Sequence, residues 1–412
     1  MLSRTQVKIE YEIVVIVNFL LGHFFSMQIY LDASATTAPR VEVINLMQET
    51  LLKGWGNPSS LHSWGERATL ILEKARWQVA SLINAPSSDA IIFTSGGTEA
   101  DNLALFGVTT QYDSPQHIII SAVEHSAIAL PAQILENQGW QVTRLAVDSR
   151  GRVNPQALSM AIQPNTVLVS IIYGQSEVGT IQPIKELATI TKNQGILFHT
   201  DAVQVAGRLT LDVEELGIDL LSLSAHKFYG IQGAGALYIR PGVKLNSLGG
   251  GGGQEKGLRS GTQALGAIAS MGLASQLIQE ELELETPKIR ALRDYLLELL
   301  SSFPYLTITG DTIHRLPHHA SFIINHPSPL LTGRKLVREL NFAGIGISAG
   351  SACNSGKTQP SSTLLAMGYT QNQALKGIRI SLDRHTTKED ITWTAMVLRQ
   401  IINRLISDLN SH

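Results

Sequence analysis

The 412-residue chain has a single cysteine, Cys353, so no disulfide can form within it. A disulfide-stapled extracellular scaffold is thereby excluded. Charge of either sign is not in excess: 32 lysines and arginines face 34 acidic residues, a formal net charge of −2. The basic balance of a nucleic-acid binder is missing, and no direct nucleic-acid binding is expected. No apolar run approaches the ~20 residues that cross a bilayer. The nearest, VVIVNFLLGHFF at 14–25, is interrupted by Asn18 and His23. Arg4 and Lys8 precede it as in a secretory signal, but Glu10 and Glu12 spoil that positive flank, and no small-residue cleavage site follows cleanly. Residues 1–26 therefore read as a non-essential or mis-started extension, with the patterned fold beginning at Met27. Neither tandem repeats nor low-complexity tracts are present. A reducing cytoplasm is the expected location, with no membrane association.

What is present is a chain too long for one core, so two lobes are expected. Residues 66–83, ERATLILEKARWQVASLI, have helical periodicity, and AIIFTSGGTEADNLALFGV reads as strand, glycine turn and helix. Short apolar runs follow, each ending in polar residues: HIIISAVEH, TVLVSIIYGQSE, GILFHTDAVQ and DLLSLSAHK. Helical stretches separate most of them. This alternation predicts a mostly parallel sheet covered by helices on both faces, with GAGALYIRP as a further strand. A long helix is predicted over about 265–300. Beyond it, LTITG, ASFIIN and GIRISL read as strands of a second α/β lobe.

Polar residues gather where these strands end, the edge at which open α/β sheets bind ligands. His125, Gln175 to Glu177, Asp201, Gln204, Ser224, His226 and Lys227 are candidates for one cleft. Gly96 and Gly97 in SGGTEA let backbone approach an anion at a helix start, although Ser95 and Glu99 also make an ordinary capping pattern. Asp201 suits a carboxylate that keeps a pyridine nitrogen protonated, with Gln204 three residues on. Lys227 suits a Schiff base to an aldehyde, beside Ser224 and His226 as phosphate ligands. Residues 249–262, GGGGGQEKGLRSGT, interleave Glu255, Arg259 and Thr262 with glycines, unlike a Ser-rich linker. Cys353 lies among Gly, Ser, Ala and Asn, which reads as an exposed, reactive thiol. Arg379 in GIRISL is a candidate grip for a carboxylate.

Taken together, YLDASATTAPR, GNPSSLHSWGERA, TSGGTEADNLALFG, EHSAI, HTDAVQVAG, SLSAHKFYGIQGAGALYIR, GGGQEKGLRSGT, SAGSACNSG and GIRISL resemble the class V aminotransferase superfamily. Within it they look like the cysteine desulfurases of the NifS/IscS type. The resemblance implies a fold type I α/β architecture, in which 39–282 form a large domain with a seven-stranded-type sheet. A smaller domain, 27–38 with 283–412, would carry the cysteine loop. It implies pyridoxal 5'-phosphate as cofactor and L-cysteine as substrate. Lys227 would attach the cofactor, Asp201 pair with its pyridine nitrogen, Gln204 meet the ring hydroxyl and His125 stack on the ring and move protons. Gly97, Thr98, Ser224 and His226 would bind the phosphate, and Thr262 would reach that of a second subunit, which requires a homodimer. Arg379 would bind the substrate carboxylate. Cys353 would take the sulfur as a persulfide, pass it to a sulfur acceptor or iron–sulfur scaffold protein, and transiently ligate a cluster; no resident metal is expected.

Two segments depart from that pattern. The family's Asn-Asn-Glu is Gln175-Ser176-Glu177, where the second Asn touches the ring oxygen and the substrate. Its Leu-Gly-Arg is Leu382-Asp383-Arg384. Altered substrate preference or lowered activity would follow. Another enzyme of this fold, such as a selenocysteine lyase, or a weakly active sulfur-transfer scaffold are the alternatives.

Overall fold

A computed structural model describes residues 28–350 and 359–410. The extension at 1–26 and Cys353 lie outside the described residues.

The apolar runs form strands because both faces of each are buried, where β-branched and aliphatic side chains pack best. After a short strand β1 (Ile29–Tyr30) and helices α1 (Val41–Lys53) and α2 (Ser63–Leu82) come β2 (Ile91–Thr94), α3 (Gly97–Thr109), β3 (His117–Ser121), α4 (Ser126–Asn137) and β4 (Gln141–Leu145). Strands β5 (Thr166–Ser170), β6 (Leu197–Asp201), β7 (Leu220–Ser224) and β8 (Gly235–Ile239) complete a seven-stranded sheet of order β2-β8-β7-β6-β5-β3-β4. All neighbours in it pair in parallel except β8, which is antiparallel to β2 and β7. The period-2 alternation of strands divides its side chains between two cores. Ile118, Ile120, Leu168 and Leu220 pack with Leu103, Ala104, Ile128 and Ala132 of α3 and α4. Ile119, Val169, Phe198 and Leu221 pack on the opposite face with Leu72, Val79 and Met271.

Helix α5 (Leu265–Ser301) is 37 residues long. It lies against α2 so closely that a Cβ on Gly272 would sit 2.6 Å from the Cα of Ala75. Its C-terminal half, with Leu296 and Leu300, joins a further core containing Ile29, Leu31, Phe322, Ile378 and Ile380. That core surrounds a four-stranded antiparallel sheet built from β9 (Leu306–Ile308), β10 (His319–Ile324), β12 (Ser348–Ala349) and β13 (Gly377–Ser381). Beside it, β1 pairs in parallel with β11 (Ile345–Gly346). The last helix, α6 (Lys388–Asn410), covers it with Leu398, Ile402 and Leu405.

Candidate active site

The parallel strands β3, β5, β6 and β7 bring their C-terminal ends to one edge of the sheet. Asp201 is the last residue of β6 and is buried. Its Oδ1 accepts from the backbone N–H of Val203 at 2.9 Å. Burial pushes its carboxyl up, while His125, that bond and Lys227 draw it back down. Gln204, on the turn that follows, is also buried, and its Nε2 donates to the Ser34 carbonyl at 2.9 Å. His125 caps the start of α4, its Nδ1 accepting from Ala127 N–H at 3.2 Å.

Lys227 ends a short 3-10 turn, Ala225–Lys227, that breaks directly from β7. Its ammonium donates to the carbonyls of Ser34 at 2.8 Å and Ala35 at 2.7 Å. Neighbouring His226 meets Thr36 Oγ1 at 3.1 Å through Nδ1, and desolvation, then the charge of Lys227, lowers its pKa to about 4. Gly97 opens α3 where space is short: a Cβ there would lie 2.7 Å from Val203 Cγ2 and 3.4 Å from the Cβ of buried Ser224. Thr98 follows it, exposed at the helix start. The capping reading of this motif holds, because Glu99 folds back to accept from Ser95 N–H at 2.6 Å and pairs with Arg259 at 2.9 Å. That pairing ties the helix start to the glycine-rich loop. On the same loop Glu255 forms a buried pair with Arg76 at 2.7 Å, whereas Thr262 stands exposed.

Arg379 comes from the other lobe, on β13, and is 5% exposed. One arm donates to the Asp32 carboxylate at 2.7 Å and the other to the main-chain carbonyl of Ser176 at 2.9 Å. Its Nε is buried with no hydrogen-bond partner. The Ser176 carbonyl also meets His319 Nε2 at 3.2 Å, so the backbone of this residue is the engaged group. Gln175 turns inward instead of lining the cleft: its Oε1 accepts from the N–H groups of Glu177 and Val178 at 2.6 and 2.8 Å. Asp383 makes a local turn, accepting from His385 N–H at 2.8 Å. Its neighbour Arg384 pairs with Glu281 at 3.2 Å.

Several groups at this edge have no counterpart in the sequence reading. The turn after β1 supplies Asp32 and the carbonyls of Ser34 and Ala35, so one segment touches Arg379, Lys227 and Gln204 together. Under Asp201 lies Asp101, 1% exposed, with Oδ1 lacking a hydrogen-bond partner. Ligand atoms of Asp101, Asp201 and His125 lie within 4.8 Å of one another. Burial and then the charge of Asp201 hold the Asp101 carboxyl well above its ordinary range, with a hydrogen bond to Ser222 opposing them. Below it, His199 bridges Ser170 and Ser222 at 2.8 and 3.0 Å, and burial lowers its pKa to about 3. Glu124 is raised to about 8 chiefly by burial, although Ser121 and Ile172 N–H both donate to it. Asp101 was visible only as a helix residue, and the sequence carries no signal that it meets Asp201.

The architecture is that of a fold type I α/β enzyme, with a lysine, a buried aspartate and a histidine at the carboxyl edge of the sheet and an arginine facing them from a second lobe. Residues 29–393 match the aminotransferase class-V family, and the chain belongs to it. It is 42% identical over 380 residues to the cysteine desulfurase IscS of Dictyoglomus turgidum, covering 92% of this chain and 95% of that protein. Among solved structures, a NifS-like protein superposes with a TM-score of 0.85 at 35% identity, covering 92% of this chain and all of the other. SspA in complex with cysteine gives a TM-score of 0.76 at 31% identity over 88% of this chain and 100% of that one.

Proposed function

We propose that the protein is a cysteine desulfurase that converts L-cysteine to L-alanine and leaves the sulfur as a persulfide on Cys353. The observation that carries this reading is the convergence on the turn at 32–35 of Lys227, Gln204 and Arg379, groups from two lobes. The relatives curated as cysteine desulfurases point the same way.

The residues fit pyridoxal 5'-phosphate. Asp201 is a buried carboxylate suited to a protonated pyridine nitrogen, and the unpartnered Oδ1 of Asp101 lies in the same acidic group. Gln204 offers an amide to a ring oxygen, and His125 an imidazole for the ring face. Gly97 opens a helix start where a Cβ would crowd Val203 and Ser224, and Thr98, Ser224 and His226 are assigned with it to the phosphate. When bound, the cofactor supplies an electron sink for charge that develops at the substrate α-carbon.

The chain's own groups do the rest. Arg379 grips the substrate carboxylate, with its buried, unpartnered Nε and an arm shared with Asp32. Lys227 would hold the cofactor and supply an amine to move the substrate's α-proton. His125 is the candidate to take a thiol proton, since a free thiol with a pKa of about 8.5 is mostly protonated at neutral pH. The Cys353 thiolate attacks the substrate sulfur. An S–S bond forms, the Cβ–S bond breaks, its electrons stay with the carbon, and a proton completes alanine. Thr262, exposed on its loop, is assigned to the phosphate of a second copy in a homodimer. A sulfur-acceptor protein in a reducing, cytoplasmic setting completes the cycle. No helix of the described residues is long and apolar enough to cross a membrane.

The test is mass spectrometry of Cys353 after incubation with cysteine, with alanine measured alongside. Wild type should gain one sulfur and release alanine. Cys353→Ala should keep the cofactor's colour and lose turnover, and Lys227→Ala should lose the covalent attachment. Alanine release from Cys353→Ala at the wild-type rate would refute the assignment and favour a lyase.

A further inference from the structure

Glu177 has no part in the scheme above, yet it sits where three segments meet. Its turn is fixed from within, because its own N–H and that of Val178 are held by Gln175 Oε1. Its carboxylate reaches outward from the β5 loop to the other lobe. Oε2 accepts from Ser361 Oγ at 2.5 Å, and Oε1 lies 3.4 Å from Thr363 Oγ1. Gly350 approaches from the other side: a Cβ built on it would lie 3.1 Å from Glu177 Oε2. Gly350 is itself tied to β13 by its N–H, which donates to the Gly377 carbonyl at 3.2 Å. In the sequence, Gly350 is three residues before Cys353 and Ser361 eight after it. The same loop grips Thr363 a second time through Gln175 Nε2 at 2.9 Å.

We propose that Glu177 is a positioning residue for sulfur transfer. It ties Ser361, on the C-terminal flank of the Cys353-bearing segment, to the loop whose Ser176 carbonyl also holds Arg379, while Gly350 on the other flank packs close to the same carboxylate. This rests on the desulfurase reading given above. Glu177 touches neither substrate nor cofactor in this scheme and acts through Ser361. A carboxylate is the stronger acceptor for the Ser361 hydroxyl, because hydrogen bonds to charged groups exceed neutral ones.

The charge state is set by what surrounds it. Desolvation raises the Glu177 carboxyl to about 7, while Ser361, Arg379, Thr363 and His125 pull the other way. Arg379 faces it from β13, His125 from the start of α4, and His319 of β10 from behind the Ser176 carbonyl; Asp32 offsets part of the Arg379 charge. His319 is neutral, its pKa driven well below the ordinary value by burial first and then by Arg315 and Arg379. The ionised clamp therefore forms as pH rises through the neutral range.

The test uses cofactor-loaded wild type, Glu177→Gln, Glu177→Ala and Ser361→Ala, each mixed with cysteine between pH 6 and 9. Two signals are followed: the absorbance change of the bound cofactor and the rate at which Cys353 gains sulfur. The expectation is a KM for cysteine and an absorbance change within about threefold of wild type. Sulfur gain should slow by about 10–150-fold in Glu177→Ala, the equivalent of one charge-assisted hydrogen bond. Wild type should show a rising limb near pH 7 that Glu177→Gln lacks, while any limb from the Cys353 thiol or His125 persists in both. Ser361→Ala removes the same bond from the other side and should reproduce the slowing should Glu177→Ala fail to fold. A wild-type rate and pH profile in these variants would overturn the inference, as would a loss confined to cofactor binding or KM. If wild type itself places no sulfur on Cys353, the functional reading fails instead.

Discussion

Replacing Arg379 by lysine is the sharpest test of the substrate grip. Arg379 is buried, spends one arm on Asp32 at 2.7 Å and another on the Ser176 carbonyl at 2.9 Å, and retains a buried, unpartnered Nε. A planar guanidinium can serve both anchors and still present an edge to a carboxylate. A lysine ammonium is one point charge. Held by Asp32, it loses the two-pronged geometry toward substrate. One charge-assisted hydrogen bond contributes ~1.5–3 kcal/mol, or about 10–150-fold in an equilibrium constant. The carboxylate is gripped equally before and during reaction, so the loss should fall on KM and kcat/KM, leaving kcat within a few-fold. The assay is steady-state alanine formation against cysteine concentration, with a thermal melt to confirm that Asp32 remains compensated. An unchanged KM with a fallen kcat would refute the reasoning and place Arg379 in the chemistry or the loop geometry.

Three further outcomes follow from the packing. Gly97→Ala should lower cofactor affinity and cost about 1–3 kcal/mol of stability, because its Cβ meets Val203 at 2.7 Å; cofactor titration and denaturant unfolding read both. Glu124→Gln should gain stability over wild type at pH 8.5 but not at pH 5. A carboxyl raised to about 8 in the fold has stability fully present below its ordinary value and lost as pH rises through 8, and a shift of a few degrees in Tm at the alkaline end checks it. Arg76→Ala should destabilise by about 3–5 kcal/mol by stranding buried Glu255, with Thr262 displaced and cofactor affinity reduced, whereas Arg76→Lys should recover part of the loss.

The legible parts of the fold are those buried on both sides. β3, β5, β6 and β7 announce themselves as apolar runs ending in polar residues, and so the edge carrying Asp201 and Lys227 could be read directly. β4 could not: QVTRL is a sheet-edge strand with exposed and half-buried residues and offers no such run. α1 was obscured because Val41, Ile44, Leu51 and Leu52 are exposed, which blurs the apolar stripe that marks a helix. At the site, the side chains were named from pattern and resemblance, but the Ser34 and Ala35 carbonyls that receive Lys227 are backbone groups every residue has. The sequence pattern points to the Ser176 side chain, whereas the fold engages its carbonyl. Asp101 and Glu177 are acids whose meaning depends on neighbours about 100 and 184 residues away, a separation that periodicity does not encode.

The turn after β1 has a consequence for biogenesis. Its strand pairs with Ile345 and Gly346, and Ala33 N–H bonds the carbonyl of Ser381. The acceptors for Lys227 leave the ribosome early, but the strands that fix them are made almost last. At about 5–20 residues per second, some 350 residues of synthesis separate the two, a wait of roughly 20–70 s. During that interval the large sheet can form with Lys227 and Asp201 in place and the pocket unfinished. A newborn chain would hold cofactor poorly until release, so active protein should appear only after the full length has been translated.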